Sequence, residues 1–201
     1  MTRRGCKGYI AYKTGWMNNG KTDLGAYDNS WYRPGSVLKR FFWYYINEVF
    51  LRTSVFPFYR LKVFLLLMFG AKVGKGVLIK PRVNIKYPWK LEIGDQVWIG
   101  EEVWIDNLDK VVIGNNVCIS QGALLLCGNH DYTSRSFDLV VKPIIIEEGA
   151  WIGAKAIVAG GSVCGSHCVL SAGSVGSGVL DGYSVYRGNP AVKVKERVIK
   201  G

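Results

Sequence analysis

The chain has 201 residues, 49% of them hydrophobic, and carries a formal net charge of +11 at pH 7. This length suits one sizeable domain with an appendage, and the hydrophobic share predicts a packed core. The positive excess predicts an anionic partner: a nucleotide-like cofactor, a polyanionic substrate or an acidic membrane surface. Because the basic residues lie mostly at the two ends and no nucleic-acid motif occurs, we do not expect a nucleic-acid partner.

The cysteines and the apolar runs bear on where the protein works. There are five cysteines, an odd number, and several occupy core-like positions. This favours free thiols in a reducing compartment, so we expect a cytoplasmic protein. Residues 1–20 lack the apolar stretch of a signal peptide, and the most apolar run, residues 63–69, is too short to span a bilayer.

The first third of the chain divides into two parts. Residues 1–27 read as an irregular N-terminal extension, and residues 28–70 as a helical cap segment. Ser36 is a good N-cap for a helix over residues 37–51, and Pro57 then interrupts the pattern. A second helix is predicted over residues 58–69, with Gly70 as its C-terminal cap.

These two helices are too apolar to stand alone in water, and two roles remain open for them. They can cover the open end of the domain that follows, which would otherwise expose its core and strand edges. They can also lie on a membrane surface and face its anionic headgroups with basic side chains. The two roles are compatible, and the basic residues concerned are Arg33, Lys39, Arg40, Arg52, Arg60 and Lys62.

From residue 73 onward the sequence repeats with a period of six. An aliphatic residue recurs at this spacing, and a small or β-branched residue follows four positions later. A period of six matches no helix, whereas a short strand plus a turn takes six residues and three such units close one triangular coil. The pattern predicts an all-β fold, a parallel β-helix over residues 71–201. Its aliphatic positions include Val73, Ile79, Ile85, Ile93, Ile99, Ile105, Ile113, Ile119, Leu125, Ile146, Ile152, Val158, Cys164 and Leu170.

The repeat is interrupted once. Coils begin at Val73, Ile93 and Ile113, but the next matching start is Ile146, which is too far along the chain for one coil. The extra residues predict an extruded loop at residues 129–143, and loops on a rigid scaffold often carry function. After Gly178 the repeat stops, and a basic tail ends the chain.

His130 opens this loop and is the strongest candidate for chemistry. Histidine is the side chain best suited to general base catalysis near neutral pH. Asp131 is adjacent in sequence, and Asp106 is predicted one coil earlier. Either a carboxylate or a backbone carbonyl would select the tautomer of His130. From spacing alone, a loop histidine without a special role remains open.

Several stretches carry a family resemblance. The repeat resembles the hexapeptide-repeat acyltransferases, whose β-helix is left-handed. Within that superfamily the chain resembles the colanic acid biosynthesis acetyltransferases and the maltose and galactoside O-acetyltransferases. The motifs are residues 27–32 (YDNSWY), 80–89 (KPRVNIKYPW), 104–108 (WIDNL), 129–132 (NHDY) and 188–191 (GNPA).

The resemblance implies an O-acetyltransferase that moves an acetyl group from acetyl-CoA to a sugar hydroxyl in exopolysaccharide assembly, with no metal. It implies a homotrimer with active sites between subunits and His130 as the catalytic base. The acceptor is then a sugar or a glycolipid, and the enzyme works in the cytoplasm or at the inner face of the membrane. Implied acceptor contacts are Asp106, Asn107, Asp131 and Tyr132. Implied acetyl-CoA contacts are Trp151, Gly153, Ala154, Ser171, Ala172, Ser177, Lys193 and Lys195.

One departure from the family pattern matters. Relatives often carry a Thr-Lys pair after the last hexad, where this chain has Ser177 and Gly178, so a positive charge toward the cofactor is lost. Two alternatives stay open: an acyltransferase with another acyl donor or an amino-sugar acceptor, and a non-catalytic β-helix scaffold. A carbonic-anhydrase-like protein needs more metal-binding histidines than the two present.

Overall fold

The computed structural model describes residues 20–200. The predicted irregular extension therefore lies outside the described residues as far as residue 19. Beyond it, a short 3-10 turn at Leu24–Ala26 begins at Asp23, whose carboxylate accepts a hydrogen bond from the Gly25 N–H. The first described segment thus has local structure of its own.

Two helices follow at the predicted places. Helix α1 spans Val37–Ile46 and continues as a π-helical turn over Asn47–Leu51. The Ser36 hydroxyl accepts a hydrogen bond from the Lys39 N–H, as an N-cap should. Helix α2 spans Tyr59–Met68, and Gly70 ends it with a φ of +91°. No helix of the described residues is long and apolar enough to cross a membrane.

Between residues 71 and 200 the structure has twenty strands, eighteen of which belong to the three sheets of a prism. Sheet I contains β1 (Lys72–Val73), β4 (Leu91–Ile93), β7 (Val111–Ile113), β12 (Ile144–Ile146), β15 (Val163–Cys164) and β18 (Val179–Leu180). Sheet II contains β2 (Leu78–Ile79), β5 (Trp98–Ile99), β8 (Cys118–Ile119), β13 (Trp151–Ile152), β16 (Val169–Leu170), β19 (Ser184–Gly188) and β20 (Ala191–Glu196). Sheet III contains β3 (Asn84–Ile85), β6 (Trp104–Asp106), β9 (Leu124–Leu126), β14 (Ile157–Ala159) and β17 (Val175–Gly176). The remaining pair, β10 (Gly128–His130) and β11 (Leu139–Val141), forms a separate hairpin.

The core of the prism consists of the residues that the six-residue period selects. The predicted aliphatic positions are buried, except that Val73, in the first coil, is only half-buried. Neighbouring coils pair in parallel with the aliphatic residues in register, as Ile79 with Ile99 and Ile99 with Ile119. Stacking identical positions gives one continuous apolar column, which no single coil could bury.

The helices satisfy polar backbone groups of the first coil. The Trp43 indole N–H donates to the Ile85 carbonyl at 2.7 Å, and the Asn47 side chain accepts from the Ile85 N–H. The buried Lys62 ammonium donates to the Lys80 carbonyl at 2.8 Å. These contacts give the first coil the partners that a preceding coil would otherwise supply.

All variation in coil length occurs at one edge of the prism, where the chain passes from sheet III to sheet I. We call this the loop edge. In the first two coils the inward residues on either side of the loop edge are eight positions apart, as Ile85 and Ile93 are. The third crossing contains the β10–β11 hairpin. At the fourth crossing, from Val158 to Cys164, the spacing is six. The other two edges keep a spacing of six throughout. Insertions therefore accumulate at one edge and leave the three sheets in register.

The end of the repeat differs from the sequence prediction. The repeat was expected to stop after Gly178, yet β18 and β19 form part of a sixth coil, with Leu180 beside Cys164 and Tyr186 beside Leu170. The six-residue period did not reveal this sixth coil in the sequence, because the last crossing of the loop edge is shortened. The basic tail is also not a free tail: β20 returns antiparallel along β19.

Candidate active site

His130 stands on the β10–β11 hairpin that projects from the loop edge. The two strands pair antiparallel, with Gly128 opposite Val141 and His130 opposite Leu139. The hairpin packs closely on the prism at its base, where an added Cβ on Gly128 would lie 2.3 Å from the Leu108 side chain. The predicted loop is thus a short two-stranded arm rather than an irregular segment.

The orientation of the His130 ring is set by its neighbours. Nδ1 lies 2.8 Å from the Phe137 carbonyl oxygen, which can only accept a hydrogen bond. In the neutral ring Nδ1 must therefore carry the proton, and Nε2 keeps its lone pair. The ring stacks on Phe137 with centroids 4.4 Å apart, and Tyr27 lies 5.8 Å away on a tilted plane. The backbone carbonyl, one of the two predicted options, selects the tautomer.

Asp131 shapes the hairpin turn. Its Oδ1 accepts hydrogen bonds from the N–H and hydroxyl of Thr133 and from the Ser134 N–H. These donors, the Thr133 hydroxyl first, hold the pKa of Asp131 below its ordinary value of 3.8. Among the described residues no hydrogen bond joins this carboxylate to the His130 ring, and its expected acceptor contact stays a prediction. Tyr132 is 82% exposed.

A second carboxylate organises the same turn. The hydroxyls of Ser136 and Ser134 donate to Asp138 and lower its pKa. Arg135 pairs with Asp23 at 3.1 Å, and the Asp23 N–H donates to the Arg135 carbonyl. The segment after residue 20 therefore lies across the hairpin and places Tyr27 next to His130.

The predicted acceptor residues Asp106 and Asn107 lie at the loop edge one coil below the hairpin. Asn107 is fully buried, with its amide oxygen 2.9 Å from the Tyr87 N–H and its amide nitrogen 2.6 Å from the Tyr87 carbonyl. Both polar atoms of Asn107 therefore serve the backbone, and its expected acceptor contact stays a prediction. The Lys86 ammonium lies 2.8 Å from Asp106 Oδ1, so the two side chains form an ion pair. Their geometry is not that of a hydrogen bond, and Oδ1 has no hydrogen-bond donor among the described residues.

Two side chains hold the backbone of the loop edge in place at Leu108, namely Tyr32 from the N-terminal segment and Lys90; we call this pair the Tyr32–Lys90 clamp. The Tyr32 hydroxyl and the Lys90 ammonium both reach the Leu108 carbonyl, at 2.6 and 2.5 Å. Burial raises the pKa of Tyr32 and lowers the pKa of Lys90. The Lys90 ammonium also lies 4.6 Å above the Tyr32 ring, a cation–π contact. Leu108 in turn supports Gly128, so residues far apart in sequence hold the base of the hairpin.

Most of the predicted cofactor residues meet at another edge of the prism, between sheets II and III, which we call the pocket edge. A cavity of about 650 Å³ lies there. Its lining includes Trp151, Gly153, Ala154, Ser171, Ala172 and Lys195, as predicted. The Trp151 indole N–H donates to the Ser120 hydroxyl at 2.9 Å. An added Cβ on Gly153 would lie 2.5 Å from the Ala172 nitrogen, so the backbones approach closely here.

The prediction missed two cations of this cavity. Arg187 and Arg197 line it together with Lys195. Arg197 is engaged by the carbonyls of Gly149 and His167 at 2.9 and 3.0 Å. Arg187 belongs to the stretch before the GNPA motif and could have been noted there, whereas the return of β20, which brings Arg197 back, has no local sequence signal.

Two predicted cofactor residues lie elsewhere. Lys193 pairs with Glu196 at 2.7 Å and is outside the cavity lining; that carboxylate raises the pKa of Lys193. Ser177 lies at the loop edge, between β17 and β18, and not at the pocket edge. Neither residue lines the cavity that one chain forms, and their expected cofactor contacts stay predictions.

One chain does not bring His130 and the 650 Å³ cavity together. The small cavity at His130 is lined by Cys127, Asn129, Lys142, Gly160 and their neighbours, none of which borders the larger one. The width of sheet III, roughly 15 Å at about 3.3 Å per residue, separates the two edges. His130 and the candidate cofactor cavity therefore lie on different edges of the prism in one chain.

Comparisons with known proteins identify the family of this chain. No family model matches it. It is 40% identical over 167 residues, 83% of this chain and 92% of the relative, to the protein named "Putative colanic acid biosynthesis acetyltransferase WcaF" of Escherichia coli K12. The chain belongs to this acetyltransferase family. Both the resemblance read from the sequence motifs and the enzyme class of acyltransferase are thereby confirmed.

Solved structures share the fold of this acetyltransferase family member. A hexapeptide-repeat acetyltransferase of Vibrio cholerae in complex with acetyl-CoA matches with a TM-score of 0.73 and 19% identity, over 81% of this chain and 88% of that one. A galactoside acetyltransferase in complex with coenzyme A matches with a TM-score of 0.70 and 21% identity, over 79% and 80%. The predicted left-handed parallel β-helix is confirmed.

Proposed function

We propose that this family member transfers an acetyl group from acetyl-CoA to a sugar hydroxyl, with His130 as the general base. The observation that carries the proposal is the Nδ1 contact with the Phe137 carbonyl, which leaves Nε2 free to accept a proton. A histidine held in this way by a second group is the usual arrangement of a catalytic base. The colanic acid and galactoside names of the relatives support a saccharide acceptor in exopolysaccharide synthesis.

The proposed reaction needs no acyl-enzyme. His130 Nε2 takes the proton of the attacking sugar hydroxyl as the new C–O bond forms at the thioester carbonyl. As the tetrahedral intermediate collapses, the C–S bond breaks and the imidazolium returns the proton to the leaving thiolate. The Phe137 carbonyl keeps Nδ1–H bonded in both states of the ring, so the ring does not need to turn between the two proton transfers.

The cavity at the pocket edge suits acetyl-CoA. Arg187, Lys195 and Arg197 supply positive charge for phosphate groups, and the apolar wall at Trp151 suits the thiol arm. Ala172 is exposed and has a small side chain, which leaves room for an extended chain to lie against the coils. Acetyl-CoA supplies the activated acyl group, and these residues would hold it in place.

We propose that the two halves of the site meet between neighbouring subunits of a homotrimer. A single chain separates His130 from the cavity, while a symmetric ring brings the loop edge of one subunit to the pocket edge of the next. The outward faces of sheets II and III are apolar enough for such an interface. Their in-register outward residues include Leu78, Trp98, Cys118, Trp151, Leu124 and Ile157.

A location at the inner face of the cytoplasmic membrane would suit a glycolipid acceptor, and helix α1 supports it. Its outward stripe is apolar and about half exposed or more: Leu38, Phe41, Phe42, Tyr45 and Val49. An apolar stripe beside basic side chains on a short helix is typical of interfacial binding. Phe41→Ser with Phe42→Ser should abolish flotation with anionic vesicles, whereas equal flotation of the variant and the wild type would count against this location.

The central experiment measures thiol release from acetyl-CoA with a panel of sugars and nucleotide sugars. We expect sugar-dependent release from the wild type and a loss of about 10²–10⁴-fold in His130→Ala, the usual contribution of a positioned base. His130→Asn is a matched control that keeps polarity without basicity. Sugar-dependent release that survives both changes would remove His130 from this role.

The same assay addresses the alternatives. Amino sugars and other acyl-CoA esters in the panel would reveal an N-acyltransferase or a different donor. A protein that binds no CoA and releases no thiol with any acceptor would be a non-catalytic scaffold.

A further inference from the structure

A third cavity lies between helix α1 and sheet III, and neither the proposed base nor the proposed acetyl-CoA site uses it. Its volume is about 330 Å³, within the range of small-molecule sites. We call it the Arg40 cavity. Its walls include Arg40, Tyr44, Arg52, Lys86, Trp104 and Asp106.

The Arg40 guanidinium lacks a hydrogen-bond acceptor for its buried Nε–H within the described part of the chain. Its Nε is buried and has no hydrogen-bond partner among residues 20–200, and no carboxylate in that range forms an ion pair with its guanidinium. Arg40 as a whole is only half-buried, and arginine keeps its charge under all ordinary conditions, so its guanidinium remains a cation. A buried donor without a partner calls for an acceptor that the described chain does not provide.

The other charges of the cavity are already paired. Arg52 forms an ion pair with Glu48 on the same helical face, and Lys86 lies 2.8 Å from Asp106. The two pairs cancel, so Arg40 leaves the cavity with one net positive charge. An anion that enters would meet Arg40 directly, with Lys86 and Arg52 nearby.

The walls of the cavity suit a sugar as well as an anion. Trp104 is 46% exposed and Tyr44 is 59% exposed, so both rings present free surface. Aromatic side chains combine a flat apolar face with a polar edge, and Asn84 adds an amide. Helix α1 is held rigidly against β3 by Trp43 and Asn47, so the cavity is preformed.

The cavity also lies close to His130 along the sheet. Its strands β3 and β6 pair in register, and β6 pairs with β9, where Asp106 stands beside Leu126. The chain leaves β9 directly into the hairpin of His130. Adjacent strands are about 4.8 Å apart, so one or two strand spacings separate the cavity from the base of the hairpin. A short saccharide can span this distance.

We propose that the Arg40 cavity binds a carboxylate or phosphate group of the acceptor saccharide, while a hydroxyl of that sugar or of the next unit meets His130. This rests on the proposed function, because it assigns the ligand to the acceptor. The acceptor class is thereby narrowed to acidic saccharides: uronic acids or sugar phosphates.

Direct binding tests the proposal without any transfer. Glucuronate, glucose 6-phosphate and neutral glucose are titrated into the full chain and followed by saturation-transfer NMR. We expect the acidic sugars to bind more tightly than glucose, and Arg40→Gln to weaken only the acidic ones by about tenfold, the usual effect of losing one charge-assisted bond. Arg60→Gln is the matched control, since Arg60 is exposed on α2 and outside the cavity.

Each other result has a defined meaning. Acidic sugars that bind equally to Arg40→Gln and Arg60→Gln would overturn the proposal, and so would equal binding of glucose and glucuronate. Displacement of glucuronate by coenzyme A would assign the cavity to the acetyl donor and would also overturn the proposal. Preference for glucose 6-phosphate over glucuronate would identify phosphate as the bound group, and the reverse would identify a carboxylate. Arg40→Lys keeps the charge and should retain part of the affinity.

Transfer assays separate this proposal from the proposed function. If neutral and acidic sugars are acetylated equally and Arg40→Gln changes neither rate, the function stands and the cavity assignment fails. If no sugar is acetylated but glucuronate binding still depends on Arg40, the cavity assignment stands as a binding site and the function fails.

Discussion

The loop edge and the pocket edge are built from the same hexapeptide units, yet they differ in every feature that matters for function. Crossings of the pocket edge always take six residues, so the backbones stack evenly and leave a cavity lined by small residues and cations. Crossings of the loop edge vary in length and carry the hairpin of His130, the buried Asn107 and the Tyr32–Lys90 clamp. Regular spacing makes a surface on which a long cofactor can lie. Irregular spacing frees backbone to position individual side chains.

If the two edges form one site only across a subunit boundary, inactive variants should complement each other. His130→Ala disables the loop edge, and Ala172→Trp fills the cavity at the pocket edge, where Ala172 is exposed. Each variant alone should be inactive. A random mixture of the two in trimers should restore about a quarter of the wild-type sites, because every mixed trimer has one site that combines two intact halves.

The control for this experiment mixes His130→Ala with His130→Asn, which share the same damaged edge and should restore nothing. Thiol release from co-expressed proteins is the measurement. Absence of restoration in the first mixture, with mixed trimers present, would mean that each chain carries a complete site.

Gly160 at the loop edge should tolerate an added side chain less well than Gly173 at the pocket edge. An added Cβ on Gly160 would lie 2.7 Å from the Cys127 carbonyl oxygen, beneath the hairpin. Gly173 has a φ of +68° but open space around it. We expect Gly160→Ala to lower the free energy of unfolding by about 3 kcal/mol and Gly173→Ala by about 1 kcal/mol. Denaturant titrations compare the two, and equal losses would contradict the close approach at the loop edge.

Gly178 tests whether the loop edge of one chain faces the cofactor of the next. It has a φ of +72° and nothing within 4 Å of its added Cβ, so a lysine fits with some backbone strain. Gly178→Lys should tighten coenzyme A binding by up to about fivefold, the range of one exposed ion pair. Gly178→Ala carries the same strain without the charge and should leave the affinity unchanged. Calorimetric titration with coenzyme A is the measurement, and identical affinities of the two variants would count against the meeting of the edges.

The hairpin should lose its turn at acid pH before the prism changes. The pKa values of Asp131 and Asp138 are lowered by hydroxyl and N–H donors, so their contribution is complete above the ordinary value of 3.8 and is lost as the pH falls below it. The Thr133 and Ser134 amide resonances should stay constant from pH 8 to pH 5 and move only below about pH 3.8. In Asp131→Asn this titration should disappear. Movement of these resonances near neutral pH would contradict the assignment.

The sequence by itself determined the fold and indicated His130 as the candidate base. A six-residue period cannot bury its aliphatic residues in a helix or a two-layer sheet, so the prism and its core positions followed from spacing alone. Ser36, Gly70 and the excess residues before Ile146 marked local events, namely the helix cap, the helix end and the inserted hairpin. His130 was recognisable because few side chains suit proton transfer and this one opened the insertion.

Only the tertiary structure decided which partners each side chain has. Asp131 looked like the partner of His130 because it is adjacent, yet it closes the turn while a carbonyl seven residues away takes that place. Asn107 became a buried support of Tyr87, and Ser177 fell on a different edge from Trp151. The Arg40 cavity joins a helix to strands more than forty residues later. Such pairings depend on how coils of unequal length stack, and a local pattern in the sequence carries no record of that stacking.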